Sequence, residues 1–273
     1  MRTVLVFGAS GAVGRYLLPQ LPAAHYKVSP VSRDRRAGWL TGDLYQMDRD
    51  WPGADIVISV GPLDAFAAWL EHQSQAPSRI VALSSMSAES KALSPDPVER
   101  ELAGRLRSAE AKLLDCSARR GIACTIFRPT LIYGAGTDRS LAPLARFARR
   151  WHLLPIPLAA NGLRQPVHAA DLAAACAAVI DLPATYARTY ELGGGECLTF
   201  TALLRRLRSA QPGFVLPIPV PIAVLRLGRI SPGVLARLRE PLLADNTAAM
   251  QDFGYAPRAF IATDVLPDTA GAH

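Results

Sequence analysis

The sequence predicts an α/β protein built around a doubly wound parallel sheet, with a small C-terminal lobe beside it. The chain has 273 residues, of which 50% are hydrophobic and 19% charged, enough for one large core and a minor one. Short β-branched runs alternate with longer amphipathic stretches through its first two thirds, which is typical of strands and helices around a parallel sheet. From Pro212 onward this alternation gives way to prolines and arginine-bearing apolar stretches.

The elements follow from these runs in chain order. The predicted strands are Thr3–Phe7, Lys27–Val31, Asp55–Val60, Arg79–Leu83, Ala123–Phe127 and Thr189–Leu192, with a minor one near Trp39–Leu40. The predicted helices are Ala12–Leu21, Leu63–Gln73, Val98–Arg120, Ser140–Arg149, Asp171–Asp181 and Phe200–Ser209. Pro97 and Gly121 flank the longest helix, as helix ends prefer.

A glycine-rich loop follows the first predicted strand, and the first predicted helix follows the loop. Gly8 allows a tight turn, Gly11 lets a pyrophosphate approach the backbone, and Gly14 lets the helix pack on the strand. Amides at the start of the helix would then bind the phosphates. The order of strand, glycines and helix predicts a dinucleotide-binding Rossmann fold, with these loop contacts: Gly8, Ser10, Gly11, Ala12, Val13 and Gly14.

The GxxGxxG spacing resembles the short-chain dehydrogenase/reductase superfamily, and later segments resemble its extended branch, the NAD-dependent epimerase/dehydratase family. The resembling segments are Gly42-Asp43-Leu44, Ile58-Ser59-Val60-Gly61, Ile80–Ser85, Phe127–Gly134 and Arg164–Ala173, in family order. The resemblance implies further cofactor contacts at Asp43, Leu44, Val60, Gly61, Ser84, Pro129 and Thr130. We expect residues 1–133 and 163–193 to form the NAD(P)-binding domain, and residues 134–162 and 194–273 to form a small substrate-binding lobe across a cleft.

The end of the second strand selects between the two nicotinamide cofactors. A carboxylate there favours NAD, whereas an arginine accommodates the 2′-phosphate of NADP. Ser32 and Arg33 follow Val31 without an acid, and Arg33 can grip a phosphate through two hydrogen bonds. We therefore expect NADP(H) in preference to NAD(H). The alternative is a solvated basic loop in which Asp34 binds the ribose.

The tyrosine and lysine that the superfamily uses as a YxxxK acid–base pair are absent. The three lysines are Lys27, Lys91 and Lys112, and none has a tyrosine four residues before it. In the family register the pair is replaced by Gly104 and Ser108. The resemblance therefore carries over the cofactor site without its usual chemistry, and places the chain among atypical members.

Substitute catalytic groups are Ser85, which ends a strand at the ligand-binding edge, and Tyr133, the tyrosine nearest the expected nicotinamide position. Each has a structural alternative, as a cofactor contact or a packing residue. We expect Ser87 to serve in a cap or loop. His168 should make a structural hydrogen bond, and Asp171 should cap a helix beginning at Leu172.

Arg164 lies where the family's sugar-nucleotide epimerases place an arginine on the diphosphate. Asp138, Arg139 and Gln165 are expected around the same cleft, so these residues favour an anionic substrate. A salt bridge is the alternative role for Arg164, and the apolar stretch 214–225 could instead line a hydrophobic pocket.

Composition and charge bear on nucleic-acid binding, metal binding and membrane insertion. A net charge of +7 without a recognised nucleic-acid module does not favour nucleic-acid binding, and the four cysteines show no metal-ligand spacing, so we predict no metal site. No stretch is long and apolar enough for a membrane span, and we expect a cytoplasmic protein. The family resemblance also implies a homodimer through the Val98–Arg120 helix.

The sequence thus indicates an NAD(P)-binding oxidoreductase or epimerase-like enzyme acting on a small carbonyl, hydroxyl or sugar-nucleotide substrate. The alternative is a non-catalytic dinucleotide sensor or assembly factor.

Overall fold

A seven-stranded, all-parallel sheet forms the centre of the computed structural model, which describes residues 1–46, 51–134, 136, 138, 140–158, 160–221, 224 and 232–266. The strand order across the sheet is β11-β6-β5-β4-β1-β2-β3. Its strands are β1 (Arg2–Phe7), β2 (Tyr26–Ser32), β3 (Leu40–Thr41), β4 (Ile56–Ser59), β5 (Arg79–Leu83), β6 (Ala123–Pro129) and β11 (Arg188–Leu192). The predicted strands are confirmed, with ends shifted by one or two residues.

Three short two-stranded sheets accompany the main sheet within these ranges. They pair β7 (Ile132–Tyr133) with β10 (Val167–His168), β9 (Leu163–Arg164) with β12 (Leu198–Thr199), and β8 (Leu153–Pro157) with β13 (Leu216–Val220). Strand β7 of the first pair follows β6 directly in the chain, so this small sheet lies at the carboxyl end of β6.

The described helices are α1 (Ala12–Leu17), α2 (Leu63–His72), α3 (Ser87–Ser90), α4 (Pro97–Arg119), α5 (Ala142–Trp151), α6 (Ala169–Ala178), α7 (Phe200–Ser209), α8 (Pro232–Arg237) and α9 (Thr247–Phe253). The first predicted helix is shorter than expected and continues as a 3-10 turn over Leu18–Gln20, where Pro19 lacks a backbone donor. The helix predicted over Asp171–Asp181 is α6, which begins two residues earlier, at Ala169. Helices α3, α8 and α9 were not predicted.

The two faces of the sheet bury separate apolar clusters. Because alternate residues of a strand point to opposite faces, Val4 and Val6 of β1 join one cluster and Leu5 joins the other. Helices α1 and α6 cover the first face, and α2 and α4 cover the second. Helices on both faces of a parallel sheet confirm the predicted doubly wound α/β class.

A third apolar cluster joins α5, α7 and β8 with the segment around Phe260, next to the carboxyl ends of the strands. The predicted lobe is not wholly separate, however. Ala249 and Tyr255 are buried in the cluster on the first face of the main sheet, and Phe253 packs against it. The assignment of all of 194–273 to the lobe is therefore wrong for α9, because its apolar side chains complete the sheet's own core.

Strands β8 and β13 carry prolines at alternating positions. Leu216 N donates to His152 O at 2.9 Å, and Leu158 N donates to Val220 O at 2.8 Å. The N–H and C=O groups of successive residues in a strand point to opposite sides. The even-numbered residues of both strands therefore direct these groups to the partner strand, and the odd-numbered residues direct theirs outward. Pro217 and Pro219 of β13 lie at outward positions. Pro155 and Pro157 of β8 do as well.

Arg79, at the start of β5, is a buried arginine that the sequence did not single out; only 2% of its surface is exposed. Its Nε donates to Ile180 O at 3.1 Å, and its Nη2 donates to Val179 O at 2.8 Å and to Thr125 Oγ1 at 2.8 Å. Burial lowers the pKa of Arg79 from its ordinary value. The guanidinium thereby ties β5 to the carbonyls that follow α6, where a helix end favours positive charge.

Candidate functional site

The glycine loop between β1 and α1 has the geometry that the motif predicts. Gly8 has a φ of +74°, and a Cβ there would lie 2.8 Å from Gly61 N. A Cβ on Gly14 would lie only 2.4 Å from Ala9 O, so α1 approaches the turn too closely for a side chain. Gly11 is the N-cap of α1 and makes no side-chain cap bond. The first amides of α1 therefore stay available to a ligand.

A cavity of about 700 Å³ opens at the carboxyl ends of the central strands, where ligands bind in this class of fold. The structure brings many predicted cofactor contacts together in its wall: Ala12, Val13, Val60, Gly61, Ser84, Pro129 and Thr130. Ser85, the proposed substitute catalytic group, lines the same wall. The opposite wall comes from α5, α7 and the segment after α8, so the cavity lies between the sheet and the C-terminal residues.

The predicted contacts for the adenosine end lie beside this cavity, at the end of β2, which neighbours β1 in the sheet. Arg33 is exposed there, and Ser32 Oγ accepts a hydrogen bond from Asp34 N at 3.2 Å. Asp43 Oδ1 accepts one from Tyr45 N at 3.1 Å, while Leu44 is buried. Arg33 thus has an exposed side chain at the expected position, and its contact with a phosphate stays a prediction.

The two serines at the end of β5 differ in how much of their hydrogen bonding is already used. The Ser84 hydroxyl donates to the buried carboxylate of Glu110, which Arg128 Nε also contacts at 2.9 Å. Ser85 Oγ accepts from Ser87 N at 3.1 Å and keeps its own proton to donate. Ser85 is therefore the better placed of the two to contact a substrate oxygen, and Ser87 has the local structural role that was predicted.

Tyr133 lies outside the cavity wall, and the proposal that it acts as an acid is wrong. The residue is fully buried, and its hydroxyl accepts from Ile261 N at 3.1 Å. Burial raises the pKa of Tyr133 to about 12. Its ring packs edge-on against His168 and Phe260. A phenol so enclosed holds the C-terminal segment in place rather than exchanging protons with a ligand.

His168, and not Asp171 as predicted, caps the start of α6. His168 is the N-cap, and its Nδ1 accepts from Ala170 N at 3.0 Å, which confirms the predicted structural bond. Asp171 is not the cap; its carboxylate accepts from Arg258 N at 3.0 Å and from Arg258 Nε at 2.8 Å. The helix begins earlier than predicted, so Asp171 lies within its first turn and is free to bind the C-terminal segment.

Arg164 and Gln165, both predicted to contact substrate, are largely occupied by backbone groups. Arg164 Nη1 donates to Leu163 O and Glu240 O, each at 2.7 Å, and burial lowers the pKa of Arg164 to about 10. Arg164 still lines the cavity. Gln165 does not; its amide donates to Gly194 O and accepts from Ala244 N, both at 2.9 Å. The substrate role predicted for Gln165 is therefore wrong.

Asp138 does lie in the cavity wall and is only partly satisfied. Its Oδ1 accepts from three successive amides at the start of α5, those of Ser140, Leu141 and Ala142, at 3.0, 2.6 and 3.1 Å. Its Oδ2 is buried and has no hydrogen-bond partner within the described part of the chain. Arg139 lies outside the described residues, as do 222, 223 and 225 of the apolar stretch, whose Phe214 is 74% exposed.

Sequence reasoning missed Lys91 as a site residue. It lies just after α3, lines the cavity, and holds its Nζ 3.6 Å from Glu99 Oε1. Arg237 Nη2, from α8, lies 2.9 Å from the same oxygen, and Ser94 Oγ donates to Glu99 Oε2 at 2.7 Å. The available signal was the Ser87–Lys91 spacing at the end of a ligand-binding strand, which was interpreted as a loop.

Known structures share this fold over nearly the whole chain. RMD from Pseudomonas aeruginosa, complexed with NADPH, has a TM-score of 0.70 at 17% identity and covers 97% of each chain. The human epimerase family protein SDR39U1 with NADPH has a TM-score of 0.67 at 17% identity, covering 96% of this chain and 97% of that one. UDP-glucuronic acid 4-epimerase from Bacillus cereus with NAD has 0.70 at 14%, covering 96% and 94%. At these identities the likeness shows a shared fold, which agrees with the predicted Rossmann-type α/β class.

Sequence comparison finds curated proteins of a different kind, which match only part of this chain. Subunit 9 of the NADH dehydrogenase [ubiquinone] 1 alpha subcomplex from Arabidopsis thaliana is 33% identical over 103 residues, covering 36% of this chain and 25% of the relative. The Dictyostelium discoideum protein of the same name is 28% identical over 81 residues, 30% of this chain and 22% of the relative. The matches thus span a quarter or less of these relatives. No protein-family model matches the chain.

Proposed function

We propose that the protein binds a nicotinamide dinucleotide across the glycine loop and acts as an atypical short-chain oxidoreductase or epimerase-like enzyme on a small carbonyl, hydroxyl or sugar-nucleotide substrate. The observation that carries the proposal is the open N-terminus of α1, which follows a glycine turn with no room for a Cβ at Gly8 or Gly14 and faces the cavity. The structural neighbours captured with NADPH or NAD support it.

The glycine loop and the adjoining cavity wall fit such a cofactor. Amides of Ala12 and Val13 would bind the diphosphate, and Val60, Gly61 and Pro129 would line the path towards the nicotinamide end. Bound there, the nicotinamide ring supplies or accepts a hydride. The chain's own contribution would be to exclude water and orient the substrate, with the Ser85 hydroxyl donating a hydrogen bond to the substrate oxygen.

NADP(H) is the proposed cofactor because Arg33 is exposed at the end of β2 and no acidic residue precedes it there. A matched pair of variants tests this preference. Arg33→Ala should weaken the binding of NADP⁺ by about tenfold to a hundredfold, since a charge-assisted phosphate contact contributes about 1.5 to 3 kcal/mol, and should leave the binding of NAD⁺ nearly unchanged. Arg35→Ala, in the same loop, is the control. Equal weakening of both coenzymes would exclude a contact with the 2′-phosphate.

Calorimetry on nucleotide-stripped protein tests the proposal itself. We expect NADP⁺ or NAD⁺ to bind, and NADPH to be oxidised in the presence of at least one member of a panel of aldehydes, ketones and sugar nucleotides. Absence of heat with either coenzyme would refute the dinucleotide site. Ser85→Ala should reduce turnover without changing coenzyme affinity, whereas a purely structural role would change the thermal stability instead.

A second candidate function, a non-catalytic dinucleotide sensor or assembly factor, has two observations in its favour. Gly104 and Ser108 replace the tyrosine and lysine of the family pair on α4, and the curated relatives are subunits named for an NADH dehydrogenase subcomplex. Tight coenzyme binding without oxidation across the panel would favour this function. The cytoplasmic location and a homodimer through α4 stay predictions; among the described residues, no helix is long and apolar enough to cross a membrane.

A further inference from the structure

Three cationic side chains converge on the cavity from different parts of the fold. Lys91 follows α3, Arg164 ends β9, and Arg237 ends α8, and all three line the cavity. Arg237 lies between the other two. Its Nη2 lies 2.9 Å from the Glu99 oxygen that Lys91 also approaches, and its backbone carbonyl accepts from Arg164 Nη2. One wall of the cavity therefore has a concentrated positive charge.

The carboxylates nearby only partly offset this charge. Glu99 serves both Lys91 and Arg237 through a single oxygen, because its other oxygen accepts from Ser94. Glu240 is exposed on the cavity rim, and its backbone carbonyl, rather than its carboxylate, accepts from Arg164. Like charges gathered in a partly desolvated wall repel one another unless an anion lies between them.

The pKa shifts of Lys91 and Arg164 agree with that geometry. Burial lowers the pKa of Lys91, and the neighbouring Arg237 lowers it further. The pKa of Arg164 is lowered in the same way, first by burial and then by Arg237. Lys91 and Arg164 are thus each partly desolvated and repelled by Arg237.

We propose that Lys91 and Arg237 form an anion-binding subsite for the substrate, held in position by Glu99. The subsite rests on the proposed function, since it assigns an acidic substrate to the same cavity. Its ligand is a phosphate or carboxylate group, contacted by the Lys91 ammonium and the Arg237 guanidinium. Arg164 adds to the potential but is held by backbone carbonyls, so it does not make the principal contact.

Asp138 adds one negative charge to the same cavity wall. Three amides hold its Oδ1, and its Oδ2 is buried without a hydrogen-bond partner among the described residues. The substrate class that the subsite predicts is therefore an anionic molecule whose phosphate or carboxylate group reaches Lys91 and Arg237.

Calorimetric titration with inorganic pyrophosphate and with citrate tests the subsite, the first as a phosphate probe and the second as a carboxylate probe. Pyrophosphate would also bind the glycine loop, so all titrations use protein carrying Gly11→Asp, which blocks that loop with a negative charge. In this background, Lys91→Met and Arg237→Met should each weaken the better probe about tenfold or more, and Lys91→Arg should retain most of the affinity. Lys112→Met and Arg239→Met remove exposed cations outside the cavity wall and should change little.

The outcomes separate the subsite from the coenzyme site. Loss of probe binding on Lys91→Met, with coenzyme binding to otherwise unaltered protein intact, supports the subsite. The same loss in a protein that binds no coenzyme supports the subsite and refutes the proposed function. If neither probe binds the Gly11→Asp protein at up to about 20 mM, or if both bind equally to the methionine variants, the subsite is refuted.

Discussion

Replacing Gly11 by aspartate should weaken coenzyme binding by about two orders of magnitude without unfolding the protein. Gly11 is the N-cap of α1, with a φ of −75° and a ψ of 179°, a conformation that aspartate adopts readily. Its new carboxylate can accept a hydrogen bond from the first turn of α1, the same group of amides that would bind the diphosphate. The substitution therefore fills the phosphate site with a negative charge that belongs to the protein.

The magnitude follows from electrostatics. Two unit charges about 4 Å apart repel by about 4 kcal/mol at an effective dielectric constant of about 20, as found near protein surfaces. Solvent screening reduces this, so we expect about 3 kcal/mol, or an affinity lower by about two orders of magnitude. Aspartate is a better N-cap than glycine by a few tenths of a kcal/mol, which offsets part of the crowding of its Cβ against Gly8 O. The free energy of unfolding should therefore change by less than about 1 kcal/mol.

Calorimetry with NADP⁺ and a thermal melt of the same samples measure the two effects, and Gly11→Ala provides the matched control. A Cβ at this position lies 3.1 Å from Gly8 O, a crowding that both variants share. The alanine variant should therefore lose only the small affinity that crowding costs. Equal losses in the two variants, or a Gly11→Asp protein that binds coenzyme normally, would refute the electrostatic reasoning and the placement of the diphosphate at α1.

Three further predictions concern the fold. Gly14→Ala should lower the free energy of unfolding by about 3 kcal/mol in urea titrations, because its Cβ would overlap backbone atoms; an unchanged midpoint would contradict the close packing of α1. Arg79→Met should cost about 3 kcal/mol by the same measurement, since buried carbonyls lose their donor, and a loss below about 1 kcal/mol would show that water replaces the guanidinium. In the native protein Cys197 should react rapidly with a maleimide, seen as a single addition by mass spectrometry, and rapid multiple additions would contradict the burial of the other three thiols, Cys116, Cys124 and Cys176.

The main sheet was predictable because its signals are local. Each strand is a short apolar run, and the glycine loop fixes both the turn after β1 and the start of α1, so the strands, the fold class and the glycine geometry follow from the sequence. The C-terminal residues lack such periodicity. Whether α9 packs on the sheet or in a lobe depends on long-range contacts, and these leave no regular pattern in the chain.

The functional site was predicted where it depends on backbone and missed where it depends on side-chain partners. Sequence placed Ser85 and Asp138 in the cavity wall, but Tyr133 and Gln165 bind backbone groups of distant segments instead. Those segments are more than 25 residues away in the chain, so no local pattern shows that the side chains are already occupied. Lys91 was missed because its place in the site depends on Arg237, which shares Glu99 with it and comes from α8, near the other end of the chain.

The alternating prolines of β8 and β13 have a consequence for solubility. The outer edge of a sheet ordinarily offers amide donors to any extended peptide, and such edges promote uncontrolled association between molecules. Here prolines take four of the five outward positions of the two strands, and Leu153 of β8 is the fifth and keeps its amide hydrogen. An added strand would find few backbone donors on either side, so the exposed Phe214 and Leu216 lie beside edges that disfavour further strand pairing.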